Sequence, residues 1–289
     1  MALLAGTSIS SCHECVATLT LPLALFLLLS QTAVGGIGTV AYLRASGGLT
    51  HGFLKFVAVT YALLGALALL VVWAGPPASY RSLFAINQPA AASLVFLQGL
   101  LVIALVAQAV LIWRRRDALA SGWLLTLGAA VLLLAATSAA FWPLAGSPLA
   151  GTELVLAIVV SAVVLGAATT GMLLGHWYLV TPALTNRPLL RAIVVLLVGL
   201  LLQAILFPLA LGGLHGSGSP AAAFGLSPVL SWLWALGAVI LPLMAAAPAL
   251  ATCRLRSFMS TTGLLYLAMI ALLPGQLLGQ LLFFVAASS

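Results

Sequence analysis

The chain has 289 residues, 64% hydrophobic and 4% charged, with ten Lys or Arg, three Asp or Glu and a formal net charge of +7. A soluble domain carries roughly 25% charge, so this composition cannot clothe a water-facing surface. It excludes a soluble enzyme, a nucleic-acid-binding domain and a disordered chain, and leaves a protein that crosses a bilayer many times.

The chain opens with a segment, residues 1–15, that ends in Cys12-His13-Glu14-Cys15. It holds no basic residue and the apolar run behind it is long, so it does not read as a cleavable leader. The CxxC spacing fits a disulfide, a thiol redox pair or part of a metal site with His215. Val16 follows the second cysteine, so the segment is not a c-type haem site, which needs His there. Outside the cytoplasm Cys12 and Cys15 are expected to be oxidised.

Eight apolar runs follow, each near the ~20 residues that a spanning helix needs. They are Val16 to Leu43, Phe53 to Ala74, Ala90 to Trp113 and Gly122 to Trp142, then Gly151 to Val180, Leu189 to Gly213, Phe224 to Leu250 and Met259 to Ala286. Their length and uniform apolarity predict helices, since barrel strands would alternate over about ten residues. The breaks carry turn chemistry: Ser46-Gly47-Gly48, Gly75-Pro76-Pro77, Gly146-Ser147-Pro148 and Gly212 to Pro220. The fold class is therefore all-α, a polytopic integral membrane protein of eight transmembrane helices.

Charge sets the expected orientation. Arg44, Lys55, Arg114, Arg115, Arg116, Arg187, Arg191, Arg254 and Arg256 all fall on odd-numbered connections, and only Arg81 falls on an even one. Basic connections stay cytoplasmic. Both termini are then expected outside the cytoplasm, in an inner (plasma) membrane.

The two halves are alike. Tyr42-Leu43, Leu49-Thr50 and Phe53-Leu54-Lys55 compare with Tyr178-Leu179, Leu184-Thr185 and Leu189-Leu190-Arg191. Trp113-Arg114-Arg115-Arg116 and Gly122-Trp123-Leu124-Leu125 compare with Cys253-Arg254-Leu255-Arg256 and Gly263-Leu264-Leu265, which lacks the residue matching Trp123. Four spans is an even number, so this predicts a parallel internal repeat with units 16–145 and 146–289. Gly35, Gly36 and Gly38, and Gly171 and Gly175 at GxxxG spacing, predict close helix crossings in the first and fifth runs.

Ionisable groups inside a membrane mark function, and no run has a carboxylate near its centre. A proton-driven pump and a metal-cation transporter lose ground accordingly. Glu153 lies at the end of a run, and Asp117 beside the arginines reads as a surface partner. His176, in Gly175-His176-Trp177-Tyr178 at the cytoplasmic end of the fifth run, is the one histidine on a spanning helix. It reads either as an interfacial anchor in an aromatic belt or as a hydrogen-bond partner for a quinone or lipid headgroup, with Trp177 or Tyr178 as a flat wall. His13, His51 and His215 are scattered over the connections, so no haem and no metal site is expected. Uncharged polar residues within the runs are Ser30, Gln31, Thr32, Thr137, Ser138, Thr169, Thr170, Gln203, Gln276 and Gln280. Each needs a hydrogen bond in the bilayer. Gln31 and Gln203 at mid-depth either tie helices together or line a cavity for a neutral polar ligand.

Eight helices in two units is an architecture similar to that of haem A synthases and of quinone-binding anchors of redox complexes, but the paired histidines of the former are missing. Three functions stay open. The chain is a membrane subunit of a larger electron-transfer assembly, respiratory or photosynthetic, touching a quinone near His176 and not catalytic alone. Or it is a transporter or channel for a neutral or lipid-like small molecule. Or it is a thiol-redox or assembly factor using Cys12 and Cys15. The expected partners are the lipid bilayer and other membrane subunits, without nucleic acid; quinone is the one cofactor expected, and none is bound covalently.

Overall fold

The computed structural model describes residues 2–115, 120–181, 185–214, 224–225 and 227–288, with side chains from Val16 onward. Among these residues every regular element is helical, and a single isolated bridge pairs Ala145 with Leu214. Eight helices are long and apolar enough to cross a membrane. They are α1 (Ala2–Ala45), α2 (His51–Ala74), α3 (Gln88–Trp113), α4 (Ala120–Phe141), α5 (Pro148–Val180), α6 (Arg187–Gly212), α7 (Pro228–Arg254) and α8 (Phe258–Ala287). Residues 2–15 continue the helix of the first span, since α1 begins at Ala2.

Local chemistry sets the helix ends. The first N–H groups of a helix have no intrahelical partner. The Thr50 hydroxyl accepts from Phe53 N, the Asn87 carbonyl from Ala90 N and the Ser147 hydroxyl from Ala150 N, capping α2, α3 and α5. Pro89, Pro148, Pro188 and Pro228 sit in first turns, where a missing N–H costs nothing. Pro228 also corrects the seventh span, which begins there rather than at Phe224 and runs on to Arg254. That helix is not uniform: Ala235–Ile240 is a π-helical stretch just before Pro242. Proline has no N–H and its ring crowds the carbonyl four residues back, and a local π turn is one way a helix absorbs this.

Short connections make successive helices antiparallel. The α1–α2, α3–α4, α5–α6 and α7–α8 connections share one face, here the arginine face, with Arg44, Lys55, Arg114, Arg115, Arg187, Arg191, Arg254 and Arg256 at or beside them. Arg81 lies on the opposite, N-terminal face, in a 3₁₀ turn Pro77–Ser82. Several of the basic side chains are pinned. Arg44 lies 5.0 Å over the Trp123 ring, Lys55 lies 4.7 Å over Trp113, and Arg191 donates to Ser46 O at 2.8 Å.

α1, α5 and α8 form the centre. Their apolar windows are 83%, 67% and 61% buried, against 33–44% for the other five. The outer helices instead present Leu63, Leu70, Phe96, Ile103, Leu124, Leu125 and Ile205 to the surroundings. So much exposed apolar surface requires a lipid bilayer. Glycine permits the central crossings, because helices in lipid associate by backbone approach. A Cβ on Gly35 would run into the Ala162 carbonyl, and one on Gly166 into the backbone of Gly35. Gly237 and Gly275 bring α7 against α8 in the same way. The sequence singles out Gly35 correctly, and Gly36 and Gly175 also sit tight against Tyr61 and Thr262, but Gly38 has open space beside it and Gly171 makes only ordinary contact.

Candidate ligand cavity

The central helices bring together five uncharged polar side chains that lie far apart in sequence. Gln31 is near the middle of the α1 span, and Ser161 is near the middle of α5. Gln203 comes from α6, while Gln276 and Gln280 come from α8. Gln276 and Gln280 are four residues apart, so they stack on one helix face. Gln31, Ser161, Gln203 and Gln276 are buried and Gln280 is half-buried.

Their hydrogen bonds form one chain. Gln203 Nε2 donates to Ala238 O at 3.1 Å. Ala238 is four residues before Pro242, so its carbonyl has no proline N–H to accept, and the glutamine supplies a donor. Gln203 Oε1 accepts from Gln276 Nε2. The Ser161 hydroxyl faces Gln276 Oε1 at 3.2 Å and Gln31 Oε1 at 3.0 Å. Gln280 Nε2 donates to Gln31 Oε1 at 3.1 Å. A hydroxyl carries one proton, so Ser161 serves one of its two acceptors at a time.

The chain has unused capacity. Among the described residues, Gln31 Nε2 and Gln280 Oε1 make no hydrogen bond. They border a cavity of about 40 Å³, whose lining also includes Leu27, Thr137, Leu154 and Phe207. A water needs ~10–15 Å³ measured this way, so the space fits a few waters or one small polar group. Among the described residues no ionisable side chain lines it. Bringing a charge there would be costly, whereas a neutral group that both donates and accepts would meet Gln31 N–H and a free glutamine oxygen.

Aromatic rings close the N-terminal side. Phe141 and Phe283 line the cavity and meet edge-on at 6.3 Å. Behind them Phe84 stacks on Phe284 at 5.4 Å. Toward the arginine face the bundle is closed by the Gly35–Gly166 backbone contact and by Tyr61, whose hydroxyl pairs with that of Thr170 at 2.6 Å.

The residues that the sequence nominates as a ligand site lie elsewhere and do not converge. His176 is exposed near the arginine end of α5. Trp177 packs at 6.2 Å from Phe53 and stacks at 6.4 Å on Phe56, with its indole N–H buried and without a partner among the described residues. Tyr178 is buried, 5.1 Å from the Phe258 ring, and donates to Thr185 O at 2.8 Å, which ties down the α5–α6 connection. Successive residues on a helix point about 100° apart, so the three side chains face three environments. The side chains of Cys12, His13, Glu14 and Cys15 lie outside the described residues, as do Arg116, Asp117 and His215. Among the described residues no three His, Cys, Asp or Glu side chains gather as a metal site.

Sequence reasoning flags Gln31, Gln203, Gln276 and Gln280 one by one and passes over Ser161. The i, i+4 spacing of Gln276 and Gln280 is a signal available there; the convergence with Ser161 has none. Neither a protein-family model nor a curated protein matches this chain.

Proposed function

We propose that this protein is a membrane carrier or receptor for a small uncharged molecule, held by its hydrogen-bonding group in the glutamine cavity. The observation that carries this reading is the pairing of an unused donor, Gln31 Nε2, with an unused acceptor, Gln280 Oε1, at the edge of a cavity with no ionisable lining. An unpaired polar group in a membrane interior is costly, and a ligand that accepts from Gln31 Nε2 while donating to Gln280 Oε1 would relieve both. The test uses acetamide as probe, with saturation-transfer NMR on the purified chain. Signal transfer to acetamide is expected in the wild type and its loss in the Gln31→Leu/Gln280→Leu double variant. No transfer in the wild type, or equal transfer in both proteins, overturns the reading.

A second reading keeps the quinone. In it the chain is an anchor subunit with protein partners, and a quinone headgroup meets exposed His176, with the unpartnered Trp177 indole N–H close by in sequence. Co-purification of other subunits, with quinone-linked activity lost in His176→Leu, would favour it over the carrier.

Two further features belong to either reading. The chain sits in the inner membrane with both termini outside, as the concentration of basic residues on one face supports; a reporter fused after Ser289 is active outside the cytoplasm. The two four-helix units descend from a parallel duplication. Its support is the sequence match; the left-handed residues that close α3 and α7, Arg115 (φ 55°) and Arg256 (φ 59°), fall one place apart in that register, which pairs Arg115 with Leu255. Against the proposed register, Tyr178 is buried while Tyr42, its counterpart, is exposed.

A further inference from the structure

Phenylalanine rings lie on one axial side of the cavity and the Gly35–Gly166 crossing on the other. The sideways wall is different. α4 and α5 make the sparsest contact of any two consecutive spans. On the outside of their seam runs an apolar groove with two widenings, of about 310 and 670 Å³, which share Val131, Leu134 and Val159.

The same two helices line both spaces. On α5, Leu154, Ile158 and Ser161 face the cavity, and the next stripe round the helix, Val155, Val159 and Ala162, faces the groove. On α4, Thr137 faces the cavity and its neighbour Ser138 faces the groove. The partition between a polar interior pocket and a lipid-side groove is thus the width of one helix side, at the sparsest contact between consecutive spans.

Resting on the carrier reading above, we infer that the ligand is amphipathic and enters from the bilayer between α4 and α5. Its uncharged head, a hydroxyl, carbonyl or primary amide, docks on Gln31 and Gln280. Its hydrocarbon tail lies in the groove. The head class follows from the cavity, which holds only a few heavy atoms and offers no counter-charge. The tail class follows from the groove, whose lining is almost wholly apolar and which the surrounding hydrocarbon already wets. A water-soluble ligand would have no reason to arrive by this route.

The test is photolabelling of the full chain in lipid nanodiscs with a long-chain primary amide that carries a diazirine midway along its tail. Adducts are expected at residues 131–139 and 155–163. They should fall about tenfold or more in Gln31→Leu/Gln280→Leu, the effect of losing one buried hydrogen bond. They should also fall in Val159→Trp, which fills the groove from an exposed position, and stay unchanged in Ile103→Trp on another lipid-facing helix. Labelling that ignores the glutamines, or that spreads evenly over the lipid-facing leucines of α2 and α3, overturns the inference: the groove then holds bulk lipid only. If acetamide still depends on the two glutamines in that case, the cavity reading survives and only the lateral route falls. If acetamide is also indifferent, both fall.

Discussion

Gln98 in α3 and Gln203 in α6 use the same device in the two halves of the molecule. Each is buried near mid-span, and each donates its amide N–H to a carbonyl of a neighbouring helix, Gly65 O at 2.9 Å and Ala238 O at 3.1 Å. Beyond that bond they diverge. Gln98 Oε1 is buried with no partner, so the contact ends there. Gln203 Oε1 receives Gln276, which leads through Ser161 to Gln31 and Gln280. Other polar contacts outside the cavity are also pairwise: with its amide turned so that both atoms meet a partner, Gln108 donates to Gly122 O at 3.2 Å and accepts from Trp123 Nε1 at 3.1 Å. A buried glutamine is therefore a staple between two helices by default. It becomes part of a site only where a third and a fourth helix bring polar groups to the same depth.

The comparison can be broken at several levels. The largest effect is expected where both regions depend on one contact. Gly166→Leu drives a side chain into the backbone of Gly35, and overpacking of this kind costs about 1–3 kcal/mol or more. Loss of monodisperse protein after mild detergent extraction would register it. Next comes the staple against the network. Gln203→Leu leaves Gln276 Nε2 without its acceptor and Ala238 O without its extra donor, at about 1–3 kcal/mol for a buried unsatisfied group. Gln98→Leu also removes an orphan oxygen, and interhelical hydrogen bonds in membranes average only about 0.6 kcal/mol. Thermal unfolding should therefore show a clearly larger drop in Tm for Gln203→Leu; equal drops would erase the distinction between the two glutamines.

Two smaller effects sharpen it. Acetamide binding should be flat between pH 5 and pH 8, because among the described residues no ionisable side chain lines the cavity and only histidine ordinarily titrates in that window. A step near pH 6.5 in the NMR signal would point back to a histidine. The smallest change is expected for His176→Leu. Its side chain is exposed, and such substitutions usually stay within about 0.5 kcal/mol. Tm and acetamide binding should not move, which leaves quinone-linked activity as the single property that could.

Much of the architecture is legible in the chain itself. Runs of apolar residues with capping residues and prolines at their starts can only be helices in a bilayer, because no other local structure satisfies its own backbone there. Thr50, Asn87 and Ser147 act locally, so their capping could be read without knowing any neighbour. The site was legible only in part. The sequence flagged Gln31 and Gln203 for their depth, and it weighted His176 because imidazole in an apolar run is rare. Burial, which decides between an anchor and a ligand group, depends on which way α5 is rotated in the bundle, and no residue in Gly175-His176-Trp177-Tyr178 encodes that alone.

The sequence by itself determined the eight spans, their punctuation and the basic face, because hydropathy, capping and charge are properties of short segments. Only the tertiary structure decided that Gln31, Ser161, Gln203, Gln276 and Gln280 belong together. Contacts such as Gln31 with Gln280 join residues 249 positions apart. They exist because glycines on α1, α5, α7 and α8 let four backbones close to contact distance, and that depth and rotation are set by packing between helices rather than by any one helix.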